Sequence, residues 1–301
     1  MRYIKLFEEY ILEGGNAFDD IQKFSGSEKN LVADVVSGFL DTELGLSESD
    51  YRIVGSFTNL DKNSSFNDID IIVKAKKFLD VDLSDFSEVS ETLHQIQDKL
   101  KDSRAKTRMF SSIGLITTRV RIETGKFLQL DIFPVNNLDW GEFVYYSPDP
   151  NITEYKGLYR NALFEAIAKS IHFDIKKFPP DHEDTGQGDI ESYMRYRFIR
   201  NLGLWEVKDV NYGKRTPRYK KDMGTYRKIT DSPKVFIKKI LGDYQISDVD
   251  NFDKVWNIIT SDSYKYSSNL PDIVENFRIV IEDRLKEKMP EIAKAFLKIY
   301  S

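Results

Sequence analysis

Runs of period 3.6 alternate along this chain with shorter runs of period two, and the changes between them mark out its elements. Ile4, Phe7, Tyr10 and Ile11 share one helical face, so residues 1–13 read as an amphipathic helix ended by Gly14-Gly15. Ser27 can cap a second helix that stops near Gly45. Tyr51–Val54 is a short strand running into Gly55-Ser56, a polar loop follows, and Asp68–Val73 is the next strand. Residues 85–101 are helical in pattern. Leu115–Glu123, a Thr124-Gly125 turn and Lys126–Phe133 form a hairpin, and a helix covers about Thr153 to Ile171. Residues 174–188, with Pro179-Pro180 and two glycines, read as a linker. Beyond them the pattern is mostly helical, with short strands around 196–212. Ser232-Pro233 opens one helix, another spans roughly 251–260, and a last pair fills 271–299. The expected organisation is an N-terminal leader helix and linker over 1–25, an α/β (α+β) domain with a mixed sheet over 26–150, and a mainly helical C-terminal domain over 151–301.

Composition narrows the chemistry. No apolar run approaches the 18 or so residues of a membrane span, so no membrane partner is expected. The chain has no cysteine and only His94, His172 and His182. Thiolate sites and disulfides are excluded, a reducing, cytoplasmic location is the expectation, and a metal site would be built from carboxylates, which suits Mg²⁺ or Mn²⁺. His182 stands among Asp181, Glu183 and Asp184 and reads as an exposed loop residue. The net charge of −5 hides an asymmetry: residues 208–228 hold eight Lys and Arg against two Asp, a net +6 that leaves −11 on the rest. Tyr212, Tyr219 and Tyr226 interleave these cations. Cations neutralise phosphates and rings stack on bases, so the segment is a candidate for binding RNA or another nucleic acid; a solvated loop anchored by tyrosines is the competing reading.

The most informative constellation is Gly55-Ser56, then Asp68-Ile69-Asp70, then Leu130-Asp131-Ile132. Residues i and i+2 of a strand share a face, so Asp68 and Asp70 point the same way, roughly 7 Å apart. Ile69, Ile71 and Val73 point into a core behind them. On the hairpin strand Asp131 shares a face with Gln129. Asp-Ile-Asp alone reads as two solvated acids on an exposed strand face. Three carboxylates on adjacent strands can instead hold two divalent ions about 4 Å apart, an arrangement suited to in-line displacement at phosphorus.

Val54-Gly55-Ser56, Asp68-Ile69-Asp70 and Leu130-Asp131-Ile132 resemble the signature of the DNA polymerase β-like nucleotidyltransferase superfamily, over about residues 27–135. The loop Phe57–Asn67 departs from many relatives in having no glycine. The resemblance implies a polymerase β-like palm and transfer of a nucleoside monophosphate from an NTP to an acceptor hydroxyl. It implies two Mg²⁺ or Mn²⁺ ions on Asp68, Asp70 and Asp131, with Asp131 also helping to deprotonate the acceptor. It further implies Gly55 and Ser56 at the triphosphate, and triphosphate or base contacts from Lys156, Tyr159 and Arg160 at the start of the following helix. Leu158, Leu163 and Ile167 explain that helix equally as core, its basic turn facing solvent. The expected acceptor is a nucleic-acid 3′ end, RNA first. Transfer to a protein or small molecule, and a non-catalytic nucleotide-binding protein of the same fold, are the alternatives. Separately, Ile11-Leu12-Glu13-Gly14 resembles the cleavage site of tailed-phage prohead proteases, which implies a protein carried in a phage head or found in host cytoplasm; the alternative is a helix packed on the domain.

Overall fold

In the computed structural model of the chain, residues 17–81, 83, 86–100, 104–110, 113–146, 157–178, 190–211 and 227–285 are described. They divide into two compact units. The first holds the described residues up to Tyr159 together with Arg200–Leu202 and those from Arg284 on, and the second holds those within Arg160–Ile199 and Gly203–Asp283.

The first unit opens with β1 (Phe24–Ser25) and a 3-10 turn leading into α1 (Lys29–Leu44). The sequence suggests Ser27 as the cap, but the turn begins at Ser25, whose backbone N–H donates to Glu28 Oε2 at 2.8 Å. Ser27 is spent on the Ser25 hydroxyl. Gly45 ends α1 in the left-handed region at φ 65°, a conformation that suits glycine. Then come β2 (Tyr51–Val54), β3 (Ser65–Phe66), β4 (Asp68–Lys74), the one-turn α2 (Ala75–Phe78), α3 (Phe86–Lys99), β5 (Lys106–Phe110), β6 (Ile113–Glu123), β7 (Lys126–Val135) and α4 (Leu138–Tyr145). The five-stranded sheet runs β2-β4-β7-β6-β5, with β4 and β7 parallel and the other pairs antiparallel.

The two sheet faces differ. Val32, Val36 and Leu40 of α1 recur every four residues and bury against Ile69, Ile71, Leu130 and Ile132. Each such side chain contributes about 1.5–3 kcal/mol when fully buried. On the opposite face Val54, Ile72, Leu115 and Phe133 form a smaller cluster with Leu138 of α4. Gly141 lets α4 approach closely, since a Cβ there would lie 2.9 Å from Ile72 Cδ1. Asn137 caps α4, accepting from the Asp139 N–H at 2.9 Å, and such a cap is worth about 1 kcal/mol.

The second unit begins in α5 (Leu158–Ser170) and continues through β8 (His172–Phe178), β9 (Ile190–Ile199), β10 (Gly203–Asn211), β11 (Arg227–Thr230), α6 (Pro233–Ile240), α7 (Phe252–Ile259) and α8 (Leu270–Leu285). Here the structure carries more strand than the sequence reading of a mainly helical region. β11-β10-β9-β8 make a four-stranded antiparallel sheet. The reason lies in β9, where Met194, Tyr196 and Phe198 alternate with Tyr193, Arg195 and Arg197, a period of two that mixed aromatic and basic residues disguise. Phe198 meets Phe164 of α5 and Phe236 of α6, with ring centroids 6.1 and 5.4 Å away. The Ser232-Pro233 helix start falls where the sequence puts it, and α7 lies within the expected 251–260, capped by Asn251, which accepts from the Lys254 N–H at 3.0 Å. Among the described residues no helix is long and apolar enough to cross a membrane.

Candidate active site

The parallel pairing of β4 and β7 sets Asp70 directly beside Asp131 and Asp68 beside Gln129. All four side chains stand on one face of the sheet, by the period of two. Asp68 and Asp70 are half-exposed, whereas Asp131 is buried at 4% exposure. Thr117, opposite Asp131 on β6, donates its hydroxyl to Asp131 Oδ1 at 2.7 Å, and Gln129 Nε2 donates to Oδ2 at 3.2 Å. Gln129 Oε1 in turn accepts the Ala17 N–H at 2.7 Å. Both Asp131 oxygens are therefore oriented by neutral donors, which helps to hold a carboxylate in a buried place.

Gly55 follows β2 with φ 71°, and a Cβ at this position would collide with Asp70 Oδ2. The glycine thus serves two needs at once: a left-handed turn, and space for the Asp70 carboxylate. Ser56 sits in the 3-10 turn Gly55–Asn59, tied by the Thr58 hydroxyl donating to the Gly55 carbonyl at 2.9 Å. The glycine-free loop is ordered by other means. Phe57 is buried edge-on against Phe66 at 5.0 Å, and Asp61 Oδ1 accepts from the Asn63 N–H, the Ser64 N–H and the Ser64 hydroxyl. Hydrogen bonds from Ser64 and Asn63 hold the Asp61 carboxyl below its ordinary value.

Tyr145 of α4 is a site neighbour that the sequence pattern does not reveal. Its ring lies 4.6 Å from that of Phe133, and its hydroxyl donates to Asn201 Oδ1 at 3.0 Å. Burial pushes its ionisation well above the ordinary phenol value, Arg200 pulls it down, and the Asp70 charge pushes it up again. Asn201 is fixed in turn by donating to the Pro134 carbonyl at 2.8 Å.

The remaining candidates are placed otherwise. Tyr159 is buried in the first unit at 2% exposure. Arg160 is buried in the second, where it donates to the Asp250 carbonyl at 3.0 Å and covers the Phe164 ring. Lys156, His182, the leader over 1–13 and residues 212–226 lie outside the described residues. At the ends of the 208–228 segment, Lys208 is exposed, Arg227 pairs with Glu206 and Lys228 with Asp231. His94 lies 2.6 Å from the Ser90 carbonyl, and His172 lies against the Tyr193 ring.

Among the described residues no three His, Cys, Asp or Glu side chains are drawn together tightly enough to enclose an ion, and both Asp131 oxygens are turned to Thr117 and Gln129. The donor set still suits a hard divalent cation. It is all oxygen, Asp70 and Asp131 are in register on adjacent strands, and Gly55 keeps the space beside Asp70 free of side chain.

No protein-family model matches the chain, and no curated protein matches its sequence. Solved structures similar to it include the non-canonical poly(A) polymerase complex GLD-2–GLD-3, at 13% identity and a TM-score of 0.28, over 56% of this chain and 50% of that one. A cytoplasmic RNA terminal U-transferase is similar at 12% identity and a TM-score of 0.25, over 60% of this chain and 62% of that one. Cid1 in complex with its short product ApU is similar at 14% identity and a TM-score of 0.23, over 56% and 48%. This chain thus spans less than two thirds of each of these structures, and likenesses this slight carry no functional argument.

Proposed function

We propose that this chain is a metal-dependent nucleotidyltransferase that moves a nucleoside monophosphate from an NTP to an acceptor hydroxyl, with a nucleic-acid 3′ end, RNA first, as acceptor. One observation carries the reading: Asp70 and Asp131 lie side by side on parallel strands, Asp68 shares their face, and Gly55-Ser56 turns in against Asp70. Like charges on one face repel one another, and a divalent cation shared between them would offset that cost.

The acceptor oxygen bonds to the α-phosphorus as the bridging α–β P–O bond breaks, and pyrophosphate leaves. Mg²⁺ or Mn²⁺ on Asp68, Asp70 and Asp131 would supply charge neutralisation at the attacking and leaving oxygens. Asp131 takes the hydroxyl proton, and the donations of Thr117 and Gln129 keep its carboxylate oriented for that task. Ser56 offers its hydroxyl to the terminal phosphate, and the side-chain-free Gly55 lets the chain approach it. Lys156, Tyr159 and Arg160 are further candidates for holding the triphosphate and base, and the 208–228 segment for binding the acceptor.

Incubation with each α-labelled NTP and Mg²⁺ or Mn²⁺, with total RNA and with protein extract as acceptors, tests the reading. Label carried into RNA is the expected result. Label in protein alone would move the acceptor to another class, and no transfer with any pair would leave a binding protein.

A further inference from the structure

The carboxylate face is asymmetric. On one side of the acids it is closed by apolar packing, where Ile72, Leu115 and Phe133 meet Leu138. On the other side it turns basic. In register, Asp131 faces Thr117 on β6, and Thr117 faces Lys106 on β5. One row further along, Gln129 faces Arg119, and the next row pairs Phe127 with Arg121. At the strand spacing of about 4.8 Å, Lys106 lies roughly 10 Å from Asp131 on the same face.

These cations are built in. Arg119 is nine-tenths buried, pairs with Asp20 and covers the Phe127 ring at 4.2 Å. Arg121 flanks the same ring at 5.4 Å, and Lys106 stands over Phe18 at 4.8 Å while donating to the Ala17 carbonyl. Arg104 reaches Asp20 at 3.9 Å with two thirds of its side chain exposed. The Asp20 and Arg119 atoms turned away from their pair, Oδ1 and Nε, are buried without a hydrogen-bond partner. Arg104, Lys106 and Arg121 are all exposed. Four cations thus gather around one acid and two rings, on the β6 and β5 side of the carboxylates.

We infer that this band over β5 and β6 binds the phosphodiester backbone of a single-stranded nucleic acid and leads its 3′ end to Asp131. The inference rests on the nucleotidyl-transfer reading for the purpose of the band, but its binding step is tested apart from catalysis. Cations that neutralise phosphates release counterions, so binding weakens steeply with salt. Charge complementarity and continuity with the carboxylates favour a strand over a globular partner. The band belongs wholly to the first unit.

The test compares the full chain with an Arg104→Ala/Lys106→Ala/Arg121→Ala variant, and with Arg104→Glu/Arg121→Glu, which keeps the Lys106 bond to Ala17. Anisotropy with an oligouridylate and a matched oligothymidylate at two salt concentrations reads affinity and salt slope, and a melting curve checks the fold. The triple variant should lose about tenfold or more in affinity for both oligomers, and its log–log salt slope should flatten by roughly 2, from about 0.7 per phosphate released. In the transfer assay the KM for the acceptor should rise while the KM for the NTP and kcat hold. Unchanged affinity and slope in both folded variants overturn the inference, and so does a loss confined to transfer onto protein. Failure of the transfer reading looks different: wild-type chain labels no acceptor, while the loss of oligomer binding in the variants is still seen.

Discussion

The two sheets of this molecule solve different problems. In the second unit each strand pairs with its neighbours in sequence, β8 to β9 to β10 to β11, and the product is a packed meander whose cores are aromatic. In the first unit β4 skips over the helices and two strands to pair in parallel with β7. A parallel pair needs such a crossover. What the crossover gains is register: two strands enter from the same end, so acids at equivalent positions, Asp70 and Asp131, come level without any local sequence link. The charged residues of the second unit are arranged differently, with Arg195 bonded to Asp209 and Arg227 to Glu206, opposite charges cancelling across neighbouring strands. The first sheet has opposite-charge pairs of its own, such as Arg119 with Asp20, so what sets it apart is its level acids, which the proposed function puts to chemical use.

The sharpest way to break that contrast is Asp70→Asn. If the level acids act on phosphorus, nucleotidyl transfer should fall by several orders of magnitude, because the set loses a charged ligand at its centre. The melting temperature should hold or rise, since one of three mutually repelling charges is gone. Near-normal turnover with unchanged metal dependence would make the first sheet as structural as the second. A thermal melt alongside a labelled-NTP assay reads both quantities.

The next largest effect belongs to the second unit. Phe236 is fully buried against Phe164 and Phe198, at 5.2 and 5.4 Å between ring centroids. Phe236→Ala should cost about 3–5 kcal/mol through lost transfer energy and the cavity left behind. Two separately cored units predict that denaturant unfolding of the variant splits into two transitions, only one of them moved. A single transition shifted as a whole would show that the cores unfold as one.

How much of this could be read from the chain follows the same division. β2, β4 and the β6–β7 hairpin were legible because Ile69, Ile71, Leu130 and Ile132 alternate cleanly with polar residues, so the face carrying Asp68, Asp70, Gln129 and Asp131 follows from period two alone. The parallel register could not be read, because nothing local in either strand states it. Thr117, Ala17 and Tyr145 were missed for the same reason: they reach the site from 14 residues to more than 100 away in sequence. In the second unit, strands such as Tyr193–Phe198 place Arg and Tyr where a clean alternation would place polar residues and aliphatics, and the period was lost among aromatics that face both ways. Arg160 shows the same gap: its charge suggests a ligand for phosphate, and nothing in the local sequence states that it also meets the Asp250 carbonyl and the Phe164 ring.

The smallest effect compares one buried tyrosine from each unit. Tyr145 donates to Asn201 Oδ1, and Tyr264, 3% exposed, donates to the Ile240 carbonyl at 3.1 Å. Burial pushes both hydroxyls well above the ordinary phenol value of about 10. The sign of the consequence is fixed by proton counting. Below about pH 10 folded and unfolded chains both keep these protons, and neither group makes stability depend on pH. Above it the unfolded chain releases them while the folded chain holds them, so stability should fall by up to about 1.4 kcal/mol per pH unit for each group. Tyr145→Phe and Tyr264→Phe should each remove one share of that slope. Only one of the two should respond to the carboxylates, because the Asp70 charge helps to raise Tyr145, whereas Tyr266 plays that part at Tyr264. In Asp70→Asn the Tyr145 phenolate should therefore form at lower pH in an ultraviolet titration of the folded chain, with Tyr264 unmoved. Equal shifts at both tyrosines would mean that the variant had loosened the fold as a whole, and no shift at Tyr145 would mean that the Asp70 charge does not reach its hydroxyl.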